Sequence, residues 1–402
     1  MSIATTTSSP DLPVGYDWLA SNAVERNIFF EPQIMEPALR HLAPDGVDLC
    51  MATDPQDAIP RAAIPLCRAQ RRYGPVPTPV PLTVWHHPYS MLATPLVSPE
   101  DPAGALEALL AKAARRQDGP PVLLMQKMLT DGPVWQLLQQ VIETSGRRLH
   151  VLESTPRAGL KLDGEATKAA TLRTILGGKS TQSIKASRRK LGAHGELSHT
   201  KAISPEEVAN ALEIFLALEA GGWKGRSGTA LISIGHDGFA RQMAENLASG
   251  GRARIDLTML HETDTNPRAI AGTFSIKAGS EDAPIWMPWK TAYDEAFVRA
   301  GPGALTLADL TERLLQEAKD AEQPFRIDSL ADPESLLAHR LWHDHWTLVD
   351  VLIDLKPGGS AAFGPILMAE KARKSAYVAG KAARAAIKRA AKRAQAALSP
   401  QN

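Results

Sequence analysis

The residues with the clearest chemical potential stand together where a helix ends, in the stretch LEAGGWKGRSGTAL at 218–231. A capping box at Ser204 starts that helix and a pair of glycines ends it. Glu219 falls in its last turn, where the helix dipole disfavours a carboxylate. Trp223 and Lys224 follow on a glycine-flanked turn, where neither side chain is easily buried. The pattern marks Glu219 as a candidate base, with a solvated glutamate as the alternative.

A second stretch of interest is Gly301-Pro302-Gly303-Ala304, which opens a long amphipathic helix predicted over 304–322. A helix start preceded by glycines exposes backbone N–H groups and the positive end of the helix dipole, which suits a phosphate. Glycine and proline are also the usual residues of a plain helix start. The stretch therefore predicts a phosphate site, with an ordinary helix start as the alternative.

The elements around these stretches predict a fold of mixed strands and helices. Alternating residues at 253–261 and 269–277 predict a β-hairpin, and a third strand is expected at 284–289. The long helix follows, and the short strand FRID comes after it. One hairpin and further strands with helices between them are typical of α/β units built on mixed sheets.

Length and composition set the domain organisation. The 402 residues are 44% hydrophobic and 22% charged, which is ordinary for a globular chain of two or three domains. We expect a loose N-terminus at 1–15 and two comparable α/β halves at 16–155 and 156–355. A linker and a basic, alanine-rich helix are expected over 356–402.

The cysteine count and the lack of targeting signals indicate the cellular compartment and argue against a metal site. Two cysteines are too few for a disulfide framework or a metal cluster. The histidines at 343 and 345 do not share a helix face and no Cys joins them, so no metal site is predicted. The sequence shows neither a secretory signal nor an apolar run of membrane-spanning length. We therefore expect a cytoplasmic protein.

The C-terminal tail is strongly basic in a chain that is nearly neutral overall. Residues 369–402 hold nine Lys and Arg against one acid, although the formal net charge of the whole chain is only +1. Electrostatic attachment to anionic lipid would make the protein peripheral at the inner membrane face. Nucleic acid is a second possible partner, and a solvated helical extension or a flexible tail is the alternative to both.

Several motifs together resemble one known family. They are ERNIFFEPQIMEPAL, IKASRRKLGAHGEL, Trp-Lys-Gly at 223–225, and a hairpin followed by WMPWKTAYDEAF, GPG and FRID. The chain resembles the GNAT acyltransferase superfamily and its CelD-like, cellulose-biosynthesis-associated branch, which is similar to the FemABX peptidoglycan aminoacyl transferases. The resemblance implies two tandem GNAT-like domains with mixed central sheets. It also implies acyl transfer from acyl-CoA to an amine or hydroxyl of a small metabolite or an envelope-polysaccharide precursor.

The proposed reaction assigns roles to particular residues. An amine acceptor must lose a proton to a base within reach, and the candidates are Glu219, Asp294, Asp328 and His339. Tyr293 is the candidate acid, and a backbone N–H near 284–289 would bind the oxyanion. The resemblance places phosphate binding at Gly301, Gly303 and Ala304, and acceptor binding at Arg189, Trp223, Lys224, Trp289 and Lys290. Packing, capping or solvation is the alternative role for each.

Three departures from the family pattern keep other functions open. Val298 stands where these enzymes usually carry Gln or Arg, Gly222 stands in place of Ser, and His339 stands in place of Lys. One alternative is a non-catalytic docking protein held at a membrane by its tail. Another is a FemABX-like transferase that uses aminoacyl-tRNA, for which the basic helix around Arg189 would bind nucleic acid.

Overall fold

The structure is a computed structural model that describes residues 12–44, 46–54, 58–68, 80–116, 118–263 and 266–398. The side chains of residue 385 and of 388–398 lie outside the description. Most of the predicted loose segment 1–15 also lies outside the described residues.

The described residues form one mixed sheet of 12 strands. These are β1 Asp48–Thr53, β2 Pro60–Arg68, β3 Leu82–Val84, β4 Leu96–Val97, β5 Val122–Leu129, β6 Leu149–Leu162, β7 Glu196–Ala202, β8 Ala253–His261, β9 Arg268–Gly279, β10 Pro284–Tyr293, β11 Phe325–Asp328 and β12 Asp344–Asp354.

Helices cover both faces of the sheet. They are α1 Tyr16–Asn22, α2 Pro32–His41, α3 Pro102–Ala114, α4 Pro133–Thr144, α5 Glu165–Ala169, α6 Leu172–Gly192, α7 Pro205–Gly221, α8 Trp223–Arg226, α9 Asp237–Ser249, α10 Pro302–Asp320, α11 Leu336–Leu341 and α12 Phe363–Leu398. This architecture confirms the predicted α/β class.

The strand order shows how the two parts of the chain are joined. It runs β1-β2-β3-β5-β12-β6-β11-β10-β9-β8-β7, with β4 paired to β2. The late strand β12 pairs with β5, and the early strand β6 pairs with β11. Each part of the chain therefore gives one strand to the other part's sheet. The predicted boundary at 155 falls inside β6, and the division into two domains stays a prediction.

Each part of the sheet contains one parallel strand pair that opens after two paired residues. In the first part, Leu82 and Thr83 of β3 pair with β5, and in the second part Ile285 and Trp286 of β10 pair with β11. Lys127 lies three residues after Leu124, the last residue of β5 that pairs with β3, and its φ is +59°. Leu330 likewise lies three residues after Ile327, the last residue of β11 that pairs with β10, and its φ is +51°. The two openings thus repeat one local geometry.

Two cores lie on opposite faces of the sheet. One continuous core lies under α7 and α9 and extends under the helices of the first part. The other lies under α6 and α10. The start of α12 packs Phe363 and Ile366 against Leu124 and Leu352 of the central strands. The second part of the sheet is therefore held between two helical layers.

Local sequence signals explain the main helix boundaries. Ser204 and Glu207 form the predicted capping box of α7, and Asp101 caps α3 through the N–H of Gly104. The two helices predicted at 165–176 and 181–195 meet within α6, where Gly177 breaks the helix with a φ of +73° and a ψ of 163° that suit a residue without a Cβ. The first of them is itself divided, because α5 ends at Ala169. Among the described residues, no helix has the length and apolarity to span a membrane.

Candidate active site

Glu219 lies at the centre of a buried cluster of charges. Its side chain is 1% exposed, and its carboxylate accepts hydrogen bonds from Lys224 Nζ at 2.9 Å and Lys290 Nζ at 3.3 Å. The backbone N–H of Leu231 donates to the other carboxylate oxygen at 2.9 Å. The unfavourable position in the helix dipole is therefore offset by two cations and one backbone donor.

The turn after α7 brings Lys224 back to Glu219. A Cβ added to Gly225 would lie 1.7 Å from the carbonyl oxygen of Ala220, so only glycine permits this close return of the chain. The short helix α8 then leaves Trp223 half exposed, at 51%. Trp223 thus lies on the surface beside the cluster, where it can contact a bound molecule.

A β-bulge in β10 positions Lys290. The register of β10 against β9 shifts between Pro288 and Lys290, which leaves Trp289 as the extra residue. Lys290 Nζ lies 5.2 Å from the ring centre of Tyr89 and 5.5 Å from that of Trp289. The lysine is therefore held by one carboxylate and two aromatic faces.

Tyr89 and His236 complete the cluster, and neither was identified from the sequence. Tyr89 comes from the loop after β3, stacks on Phe239 and meets Trp289 edge to face. Its hydroxyl lies 2.8 Å from Nδ1 of His236, which precedes α9. A signal existed in the run WHHPYS at 85–90, because polar aromatic residues follow a strand there. The cluster thus combines residues from both parts of the sheet.

The cluster sets the protonation states of its members. Burial raises the pKa of the Glu219 carboxyl, but Lys290, Lys224 and the N–H of Leu231 outweigh burial, so the pKa is lowered. Burial lowers the pKa of Lys290, although Glu219 opposes that shift. Burial and the charge of Lys290 also lower the pKa of His236. Burial raises the pKa of Tyr89, so at neutral pH its hydroxyl stays protonated and shares a hydrogen bond with a neutral imidazole, whose tautomer sets the direction of the bond.

The predicted phosphate site lies at the start of α10. Gly301 has φ +70°, and no side chain caps the helix. Pro302 has no N–H, which leaves the amides of Gly303 and Ala304 as the first donors of the helix. A Cβ on Gly303 would lie 3.0 Å from the ring of Tyr293, and one on Gly301 would lie 3.2 Å from Ser187 Oγ of α6. Tyr293 and α6 therefore border the helix start.

The other predicted site residues have partners away from the Glu219 cluster. Asp294 caps the 3₁₀ turn Glu295–Ala300 and pairs with Arg268 at 2.7 Å. Asp328 is buried in an ion pair with Arg157 at 2.6 Å. His339 Nε2 lies 2.9 Å from the carbonyl oxygen of Pro333, and Arg189 is exposed on α6. Of the predicted residues, the structure brings together Glu219, Trp289, Lys224 and Lys290.

Residues 178–322 match a family model described as an acetyltransferase (GNAT) domain. No curated protein sequence matches the chain.

Solved structures resemble the chain over most of its length. FemX matches with a TM-score of 0.52 and 10% identity, covering 85% of this chain and 95% of FemX. A conserved protein of unknown function from Bacteroides thetaiotaomicron VPI-5482 has a TM-score of 0.50 and 11% identity, covering 85% and 96%. L-PGS from Bacillus licheniformis has a TM-score of 0.49 and 11% identity, covering 90% and 97%. Residues 178–322 thus resemble a GNAT acetyltransferase domain, and the chain is similar in overall fold to FemX.

Proposed function

We propose that the protein transfers an acyl group from acyl-CoA to an amine or hydroxyl of a small metabolite or an envelope-polysaccharide precursor. One observation carries the proposal: within the segment that matches the GNAT family model, a bulged strand that opens from its neighbour leads through the 3₁₀ turn Glu295–Ala300 to an uncapped helix start. The strand ends at the charged cluster and the helix start suits a phosphate. We also propose the CelD-like branch, on the Trp-Lys-Gly motif whose glycine the turn requires.

The cluster supplies the groups that acyl transfer needs. In the tautomer whose Nδ1–H donates to the Tyr89 hydroxyl, the neutral His236 accepts at Nε2 the proton that the acceptor loses when it attacks the acyl carbonyl carbon. When the tetrahedral intermediate collapses, the C–S bond of the thioester breaks and CoA leaves as a thiol that takes up this proton. The Lys290 ammonium stabilises the negative charge that develops on the carbonyl oxygen. Glu219 stays ionised and positions both lysines, because its lowered pKa makes it a weak base. Trp223 and Lys224 would contact the acceptor.

The donor site is tested with a charge placed at the helix start. Ala304→Asp puts a carboxylate at the third position of α10, where it stabilises the helix but repels a phosphate. Two unit charges about 4 Å apart near a protein surface repel by about 4 kcal/mol, so CoA binding should weaken at least tenfold by calorimetry. Ala103→Asp, at the second position of α3, is the matched control. Unchanged binding in Ala304→Asp, or no binding of CoA to the wild type, would contradict the donor site.

One observation favours a second donor, aminoacyl-tRNA. The segment 185–190 of α6 exposes four basic residues, Lys185, Arg188, Arg189 and Lys190, of which Arg188 pairs with Asp309. The same helix passes beside the start of α10 through Ser187. If this donor is used, tRNA should bind with an affinity that falls steeply with salt, and Arg189→Glu should weaken it. If neither CoA nor tRNA binds, the docking hypothesis remains.

Attachment to a membrane surface is a separate proposal. The exposed part of α12 includes Lys371, Lys381 and Arg384, and the basic sequence continues to Arg393. Sedimentation with vesicles that contain anionic lipid tests it, with neutral vesicles as the control. Binding that is equal for both kinds of vesicle would contradict an electrostatic attachment.

A further inference from the structure

A second polar cluster lies where β5 opens from β3, away from Glu219. The register of β12 against β5 shifts between Val349 and Val351, opposite Gln126 and Lys127. Asp350 accepts hydrogen bonds from the N–H of Lys127 at 2.9 Å and from Gln126 Nε2 at 3.2 Å. These bonds hold Lys127 at its positive φ, a conformation that is costly for a residue with a Cβ.

Arg157 of β6 is buried beside this bulge with one donor unused. The residue is 3% exposed, and its guanidinium donates to Asp328 at 2.6 Å and to the carbonyl oxygen of Met91 at 3.0 Å. Its Nε is buried and has no hydrogen-bond partner among the described residues. A buried donor without an acceptor costs free energy, so an acceptor at this point would stabilise the protein.

Lys127 directs a second donor to the same place. Its Nζ lies 3.3 Å from the sulfur of Met91, which is a weak acceptor. Arg157 also contacts Met91, at its carbonyl oxygen, so the two cations lie near each other. Burial and then the charge of Arg157 lower the pKa of Lys127, although Asp332 and Asp350 oppose that shift. His86 is neutral at physiological pH, because burial and the charge of Lys127 lower its pKa to about 4.

We propose that Lys127 and Arg157 form a binding subsite for a carboxylate. Asp328 forms an ion pair with Arg157, whereas Asp350 bonds to the backbone N–H of Lys127 and not to its ammonium, which Asp332 and Asp350 attract only as neighbouring charges. A singly charged oxyanion therefore fits better than a dianion such as a phosphate monoester. Arg157 offers a fixed N–H, and Lys127 offers a mobile ammonium group.

One loop connects this subsite to the candidate active site. Met91 contacts both cations, and Tyr89, which contacts Lys290, is two residues away. Two residues span at most about 7 Å of chain. The carboxylate is accordingly assigned to the acceptor, and this assignment rests on the proposed transfer function. Carboxylate binding itself does not, because it can be measured without any donor.

The experiment uses the full-length protein labelled with ¹³C at the methionine methyl groups. The Met91 signal, assigned with Met91→Leu, should shift saturably on titration with acetate and not with methylamine. Lys127→Gln should raise the dissociation constant for acetate at least tenfold, since one of two charged donors is lost. Lys374→Gln is the control, because Lys374 is also a lysine near the central strands but lies on α12 and pairs with Glu153.

Three results would overturn the proposal. They are the absence of a saturable Met91 shift in the wild type, an equal acetate affinity in Lys127→Gln, and tighter binding of inorganic phosphate than of acetate. The wild-type titration is decisive even if Lys127→Gln fails to fold. If the wild type binds acetate but shows no CoA binding in a parallel calorimetric measurement, the transfer function is refuted and the carboxylate subsite is not.

Discussion

Replacing Glu219 by Gln removes a negative charge from a carboxyl group that receives three hydrogen bonds. The amide oxygen can still accept from Leu231, but the amide N–H₂ group faces two lysines. Breaking a fully buried ion pair costs about 3–5 kcal/mol. Lys290 and Lys224 keep 15% and 23% of their side chains exposed, so water compensates in part. We expect Glu219→Gln to lower the free energy of unfolding by about 2–4 kcal/mol.

Urea unfolding followed by tryptophan fluorescence measures this loss. Glu213→Gln is the matched control, because Glu213 lies on the same helix and pairs with Arg241 but is 57% exposed. An exposed pair contributes at most about 1 kcal/mol. Lys290→Met and the double variant complete a cycle, in which the second substitution should cost less once the first is present. Equal, small losses for Glu219→Gln and Glu213→Gln would refute the buried charge cluster.

The pH dependence gives an independent check. The folded pKa of Glu219 is lowered from its ordinary value of 4.5. The stability contributed by this group is therefore present above pH 4.5 and is lost as the pH falls through the folded pKa. The difference between wild type and Glu219→Gln should shrink over that window. A difference that stays constant down to the lowest pH at which both proteins fold would contradict the cause given for the shift.

Three further predictions concern the turn, the imidazole and a helix end. Gly225→Ala should lower the thermal unfolding midpoint strongly, because the added Cβ would clash with the carbonyl oxygen of Ala220. Gly221→Ala, whose Cβ would meet open space, is the control and should leave the midpoint unchanged or raise it. Similar midpoints for the two variants would contradict the clash. An NMR titration should place the pKa of His236 below 6.5, and a value at or above 6.5 would contradict its burial. Glu322→Gly should raise stability by up to about 1 kcal/mol in calorimetry, since Glu322 is exposed at φ +53°, and a decrease would contradict the strain.

The sequence was most informative where local signals decide structure. The capping residues Ser204 and Asp101 and the alternating hairpin predicted their elements close to the observed bounds. The pairing of β12 with β5 could not be predicted, since no local pattern shows which distant strand fills a gap in a sheet. The positive φ of Lys127 could not be predicted from the sequence either, because the carboxylate of Asp350, on the distant strand β12, stabilises it.

The candidate site shows the same limit. Glu219 stood out because its position conflicts with the helix dipole, and the structure gives the reason in its three donors. Tyr89 is far from Glu219 in sequence, and His236, 17 residues after Glu219, joins the cluster only through its contact with Tyr89. Asp294 was a candidate by proximity to the glycine-rich stretch, but its carboxylate is taken up by a cap and an arginine.

The exchange of β6 and β12 constrains how the chain can be made and divided. The space between β5 and β6 is filled by β12, which is synthesised only after the rest of the second half. On the ribosome, the first half must wait with an open sheet edge until residues 344–354 emerge, which exposes it to aggregation. A fragment limited to 178–322 would lack both exchanged strands, so we expect the two halves to be inherited, expressed and degraded as one unit.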